Sequence, residues 1–134
     1  MHVITIKPET AFQAVADKTR LRIIRLMINS GEEVCLCEIT DSLQESQTKL
    51  SRHLKVLRQA GLLSAQKEGR WVYHSLVTGI PYLDYLYASI KALPDEFGTY
   101  ANDLKLFNER LCLRENNRCK TNVSGDGTGS RAIK

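Results

Sequence analysis

No run of apolar residues in this 134-residue chain approaches the ~18 needed to cross a bilayer, so a membrane span is not expected. The N-terminus, MHVITIKPETAF, has no basic region followed by a sustained apolar stretch, which argues against a secretory signal peptide. The expected location is therefore cytoplasmic, where thiols stay mostly reduced. Asn122-Val123-Ser124 matches a glycosylation sequon, read here as chance in a chain that is not secreted. The late GDGTGS has neither the spacing nor the lysine of a phosphate-binding loop. No nucleophile–base pair, carboxylate dyad or cofactor motif is present, so an enzyme is not expected. Cysteine is scarce, at four residues, and yet two of the four stand one residue apart among carboxylates in EEVCLCEIT, as Cys35 and Cys37.

What is present is the composition of a folded protein. With 43% hydrophobic and 25% charged residues, the chain suits one domain with one modest core. The expected organisation is a domain over 1–117 and a disordered, Gly/Ser/Thr-rich tail over 118–134. The net charge of +4 is unevenly distributed. Glu32 to Glu45 holds five acidic residues and no basic one, whereas Gln47 to His74 holds six basic residues and one acidic residue, Glu68. A focused basic segment suits a phosphate-bearing partner.

Pro8 and Glu9 open a first short helix carrying Phe12, Val15 and Ala16. Asp17 caps a second, KTRLRIIRLMINS, in which Leu21, Ile24, Met27 and Ile28 recur at helical spacing and Gly31 is the stop. A short helix from about Leu36 to Leu43 buries Leu36, Ile39 and Leu43, and Ser46 then caps QTKLSRHLKVLRQA, which ends at Gly61. LLSAQK and WVYHSL, separated by Glu68-Gly69-Arg70, form a hairpin. After Pro81, one helix face carries Leu83, Leu86, Tyr87, Ile90 and Leu93, and Pro94 breaks or kinks it. A last amphipathic helix carries Phe97, Tyr100, Ala101, Leu104, Phe107 and Leu111. The stripe Leu86, Ile90, Leu93 is too apolar for solvent, and burial in a homodimer explains it.

Helices, a hairpin and more helices make up the order of a winged helix-turn-helix, mainly α with a small β-hairpin wing. The helices joined by Gln44-Glu45-Ser46 form the helix-turn-helix. On the second of them, at about 100° per residue, Leu54 and Leu57 fall within ~40° of Leu50, while Thr48, Arg52, Lys55 and Gln59 fall opposite, with Ser51 at the margin. Such a helix presents its N-terminal residues to base edges in the major groove. Arg52 is the best candidate for a base, because its planar fork matches guanine O6 and N7. Gln47, Thr48 and Ser51 suit bases or phosphates, and Lys49 and Lys55 suit phosphate. Lys67 and Arg70 flank the wing tip, within reach of backbone or minor groove. His53 is read as a hydrogen-bonding residue at the core edge, and Trp71 and Tyr73 as packing residues.

The segments ADKTRLRIIRLM, GEEVCLCEIT, QTKLSRHLKVLRQAGLL and KEGRWVYHSL closely resemble the arsenical-resistance-operon repressor (ArsR) family of metal-sensing winged-helix repressors, over about Ala11 to Pro81. The resemblance implies a homodimer with the first and last helices at its interface. It also implies repression of a resistance operon by the apo form, and release of double-stranded operator DNA when a soft ion binds. Cys35 and Cys37 match the family's Cys-x-Cys, and thiolates select thiophilic ions. The implied inducer is arsenite or antimonite, with cadmium or lead as the alternative. Arsenite repressors commonly continue the motif to Cys-x-Cys-x-x-Cys, but the third position here is Thr40. Either two thiols suffice or a third comes from Cys112 or Cys119. The zinc sensors' His/Asp arrangement is missing from the last helix.

Each remote thiol also has a plainer reading: Cys112 borders Leu111 and suits packing, and Cys119, in a polar segment, suits an idle exposed thiol. On a regular helix Cys35 and Cys37 project ~200° apart and do not meet. Ion binding is therefore expected to unwind the turn around Val34 to Glu38 and so move the helix that braces the recognition helix. The other function in view is a thiol-redox or persulfide-sensing repressor, in which Cys35 or Cys37 bonds Cys112 or Cys119.

Overall fold

The computed structural model describes residues 7–119. The chain runs α1 (Pro8–Val15), α2 (Lys18–Ser30), β1 (Val34–Cys35), α3 (Leu36–Leu43), α4 (Gln47–Gln59), β2 (Leu63–Glu68), β3 (Trp71–Leu76), α5 (Pro81–Lys91) and α6 (Thr99–Leu111). Helix ends follow local chemistry. The Asp17 carboxylate accepts the Thr19 and Arg20 N–H groups at the start of α2, and Ser46 Oγ accepts from Lys49 N at the start of α4. Gly31 ends α2 in the left-handed region at φ 68°, where a side chain is disfavoured. These caps stand where the sequence predicts them.

The core forms under α4. Leu50, Leu54 and Leu57 face inward against Ile23, Ile24, Met27, Ile39 and Leu43. The hairpin pairs Leu63 with Leu76 through to Glu68 with Trp71, closing on Gly69-Arg70. The sheet has a third strand that is not expected from the sequence. β1 pairs antiparallel with β3, Val34 opposite His74 and Cys35 opposite Tyr73, so the order is β1-β3-β2. Two residues carry no readable alternation, which is why periodicity missed the strand.

The last two helices differ from expectation. Ile90 lies in the chain's own core at 3% exposure, with Leu86 and Leu93 packed partly buried against it, so the expected dimer stripe is largely spent within one chain. The large exposed apolar side chains on α1 and α5 are Phe12 and Tyr85. α6 packs against α3 and α2, and its buried positions include Asp103 and Arg110 beside Phe107. Phe97 precedes the helix and is exposed. The first turn of α6 is held by the Asp95 carboxylate, which accepts the Tyr100 and Ala101 N–H groups.

Three helices meet at one ion pair. Arg22 on α2 forks onto Asp103 on α6 at 2.8 and 3.0 Å and donates to the Leu43 carbonyl at the end of α3, at 2.9 Å. A second arginine of α2, Arg25, donates to the Ile90 and Leu93 carbonyls and stacks over the Tyr100 ring, which ties the end of α5 to α6. The described fold continues through Arg118 and Cys119, residues expected from the sequence to lie in the disordered tail. The sequon and GDGTGS lie outside the described residues. Asp103→Ala leaves the Arg22 guanidinium with only the Glu45 carboxylate, at 3.4 Å, and should destabilise the chain by about 3 kcal/mol, the low end for breaking a buried pair. Urea denaturation with an unchanged m-value checks it.

Candidate metal centre and nucleic-acid face

Cys35 is the residue before α3 rather than part of it. Its backbone is extended, at φ −99° and ψ 155°, because it also belongs to β1. Cys37 lies in the first turn of α3. The premise of two thiols 200° apart on one helix therefore does not hold, and the turn need not unwind for them to approach.

Glu38 sets the local geometry. Fully buried, its carboxylate accepts the Cys35 N–H at 3.0 Å, a reciprocal cap on α3, and receives the Arg114 fork at 2.6 and 2.6 Å. Arg114 also donates to the Glu33 carbonyl at 2.9 Å. Burial pushes the Glu38 carboxyl up, and Arg114 opposes that shift. Four residues further on, Arg118 pairs with Glu33 and Glu68 and stacks 4.3 Å over the Tyr73 ring. Four residues before, Arg110 pairs with Asp41 at 2.8 Å. The arginines at 110, 114 and 118 thus dock the segment after α6 onto the acidic stretch that begins at Glu32.

This docking carries Cys119 into the site. Cys119 is 6% exposed, its N–H donates to the Tyr73 hydroxyl at 3.0 Å, and its Sγ lies 3.4 Å from Cys35 Sγ. Burial pushes the Tyr73 phenol up to about 12, so it accepts this bond as a neutral group. Cys35, Glu38 and Cys119 offer ligand atoms within 4.8 Å of one another. Cys37 packs against this cluster, and its Sγ accepts from Arg110 Nη2 at 3.6 Å. The neighbouring Cys119 and Cys35 thiols, with the Arg110 guanidinium, hold the Cys37 thiol down to about 4. Cys35 is pushed up by its contacts with Cys119 and Cys37 and by burial. For Cys119, the Cys35 contact pulls down, while Cys37 and burial push up and prevail. Of the two remote thiols, Cys119 joins Cys35 and Cys37, whereas Cys112 is exposed, its Sγ against the Asn108 carbonyl at 3.5 Å.

On α4, Gln47, Thr48, Ser51, Arg52 and Lys55 are exposed, with Gln47 and Ser51 on the side that faces Cys35 and Cys37, and Lys67 and Arg70 near the wing tip are exposed as well. Lys49 is half-buried and pairs with Glu45 at 3.0 Å. His53 bonds Arg20 at 3.1 Å at the core edge, as the sequence predicts.

A family model described as "Bacterial regulatory protein, arsR family" matches residues 17–65. The arsenic resistance transcriptional regulator ArsR1 of Pseudomonas putida is 40% identical over 90 residues, 67% of this chain and 68% of that protein. The chain belongs to the ArsR family. The arsenical resistance operon repressor of Escherichia coli is 45% identical over 74 residues, 55% of this chain and 62% of that protein. A cadmium resistance regulatory protein CadC homolog of Staphylococcus aureus is 35% identical, covering 48% of this chain and 53% of its own length. Among solved structures, reduced HlyU of Vibrio cholerae aligns with a TM-score of 0.54 at 27% identity, covering 61% of this chain and 82% of that one. The ArsR-family chain is therefore a helix-turn-helix transcriptional regulator and not an enzyme, with the winged architecture expected. The family model ends at residue 65, so it spans Cys35 and Cys37 but not Cys119.

The arginine spacing 110, 114, 118 was the readable sign of a docked segment, overlooked because it falls beyond the apolar periodicity. In native protein, alkylation by iodoacetamide should label Cys112 and leave Cys35 and Cys119 protected. Arg118→Ala should speed Cys119 labelling several-fold with circular dichroism unchanged, as read by peptide mass spectrometry.

Proposed function

We propose that this ArsR-family regulator is a homodimeric, cytoplasmic repressor that holds operator DNA in its apo form and releases it when arsenite or antimonite binds Cys35, Cys37 and Cys119. The observation that carries the reading is the 3.4 Å separation of the Cys35 and Cys119 sulfurs beside Cys37. Metal–sulfur bonds of ~2.3 Å put two sulfurs on one ion ~3.4–3.8 Å apart, so the pair already has the separation an ion needs.

Three sulfurs suit a trivalent, pyramidal centre better than a divalent one. Three thiolates on a trivalent ion make a neutral adduct, which a buried site tolerates, whereas a divalent ion leaves a net charge. Arg114 and Arg118 are already paired with Glu38 and Glu33, and Arg110, which contacts Cys37, is shared with Asp41, so the surrounding guanidinium groups offset that charge only in part. Glu38, the nearest other donor, is committed to Arg114 and to the Cys35 N–H. Cadmium and lead are the runners-up for the same sulfurs.

Cys37 gives the ion its leverage. To join Cys35 and Cys119 it must turn from Arg110, which pulls on the first turn of α3 and on the Asp41 pair further along the same helix. α3 braces α4, and a dimer must hold its two recognition helices ~34 Å apart to meet successive major grooves. The ion weakens operator binding only by preferring the conformer that DNA does not, and a coupling of ~1–3 kcal/mol per site gives several-fold to hundredfold release. Arg52 reads a base, Gln47, Thr48 and Ser51 bond bases or phosphates, and Lys49, Lys55, Lys67 and Arg70 hold backbone. A second reading, favoured by the same sulfur contact, is a redox repressor in which Cys35 and Cys119 form a disulfide.

Titration of labelled operator complex tests the assignment. Cys35→Ser and Cys37→Ser should bind operator normally and lose arsenite-driven release, because a protonated hydroxyl does not replace thiolate for a soft ion. Cys119→Ser should reduce arsenite affinity without erasing the response, Thr40→Cys should restore it, and Cys112→Ser should be silent. Retained induction in the Cys35→Ser/Cys37→Ser double variant sinks the sensor site. Release by oxidant but not by ion, with loss of free thiols, would favour the disulfide reading. Separately, Arg52→Ala should cost about 1–3 kcal/mol of specific binding, and Lys67→Ala should weaken binding without altering sequence preference. Fluorescence anisotropy on operator and scrambled DNA distinguishes the two.

A further inference from the structure

Directly opposed residues of a hairpin share a face, and so do alternate residues along each strand. The pairs Leu63–Leu76, Ala65–His74 and Lys67–Val72 therefore follow one another on one face of the wing, from base to tip. Leu63 and Leu76 belong to the core, whereas Lys67 and Val72 are exposed. His74 stands between these two zones and is 3% exposed. Its Nε2 lies 2.9 Å from Nη1 of Arg58, in the last turn of α4. A guanidinium only donates, so Nε2 accepts and the imidazole is neutral, with its proton on Nδ1. Burial and the Arg58 charge both push the His74 pKa down, which favours that neutral form. On the other face of the hairpin the neighbouring residue, Tyr73, is held by the Cys119 N–H and by Arg118. The wing is thus pinned on both faces at adjacent residues, and its tip projects beyond them.

We propose that Arg58 is the positioning residue of the wing: its bond to His74 sets the angle between α4 and the hairpin, and with it the reach of Lys67 to the DNA backbone. The inference rests on the reading that α4 and the wing tip both meet DNA. Lys67 lies two residues beyond Ala65, ~7 Å further along the strand, on the face shared with His74. A tilt of the hairpin at His74 therefore displaces the Lys67 ammonium. Arg58 acts through the wing and holds no phosphate itself.

Fluorescence anisotropy with the full chain and operator duplex tests the proposal through double-mutant cycles with Lys67. Arg58→Met keeps the aliphatic stem and removes the donor. His74→Leu keeps a buried side chain and removes the acceptor. Each should weaken operator binding about fivefold, and Lys67→Ala added to either should cost nothing more. His74→Gln, whose carbonyl still accepts from Arg58, should stay within about twofold of the parent. Trp71, the only tryptophan, opens β3 next to the turn and reports on the wing without DNA. Its quenching by acrylamide should rise in Arg58→Met and in His74→Leu, with far-UV circular dichroism unchanged. If His74→Leu binds operator like the parent while Arg58→Met does not, Arg58 itself holds phosphate and the proposal fails. It fails equally if the Lys67→Ala loss is undiminished in both backgrounds, or if Trp71 quenching is unchanged in both variants. Should Lys67→Ala already be silent in the parent, the wing reading fails and takes this proposal with it.

Discussion

One buried carboxylate organises the thiol-bearing end of this molecule. Glu38 caps the start of α3 through the Cys35 N–H and clasps Arg114 in a two-pronged ion pair. Neither half is independent, because a carboxylate with no solvent around it requires its guanidinium. The cap keeps Cys35 in extended backbone next to Tyr73, and the clasp brings the segment after α6 to the same place. Without the pair, Cys119 is left with the Arg118 ion pairs, the Tyr73 hydroxyl and its contact with Cys35 to hold it. The thiol cluster is thus the by-product of an electrostatic fastening rather than of apolar packing.

Much of the architecture was legible because local signals agreed with one another. Asp17, Ser46 and Gly31 stand where helices begin and end. Leu50, Leu54 and Leu57 mark the inner face of α4, and Glu68-Gly69-Arg70 turns the wing. What escaped was non-local. The two-residue β1 has no pattern of its own and exists because β3 has a free edge beside it. Asp103 and Arg110 look like solvent-facing charges on a helical wheel, yet they are buried by partners on α2 and α3, far away in the chain. Ile90 reads equally well as core or as interface until α5 is seen lying on the body of its own chain.

The candidate site divides along the same line. Cys35 and Cys37 stood out as a motif, since spacing is a local property. Whether either remote thiol belonged with them depended on where the last turn of chain goes, and composition pointed to solvent. The deciding residues were the arginines at 110, 114 and 118, whose counterpart is the acidic run from Glu32 to Asp41. Matched blocks of opposite charge far apart in a sequence are a docking signal, and here they outweighed the polar character of Glu115, Asn116 and Asn117. Helical geometry misled for a related reason: a cysteine just before a helix obeys the strand it also belongs to.

The family model and the third sulfur occupy separate stretches of the chain. The family model's match runs from residue 17 to residue 65 and includes α4, whereas Cys119 arrives on a short segment fixed by charge. Substitutions in that segment leave α4 untouched. The position of Cys119 and the exposed surface of α4 are therefore set by different stretches of the chain, one by ion pairs and the other by its leucine stripe.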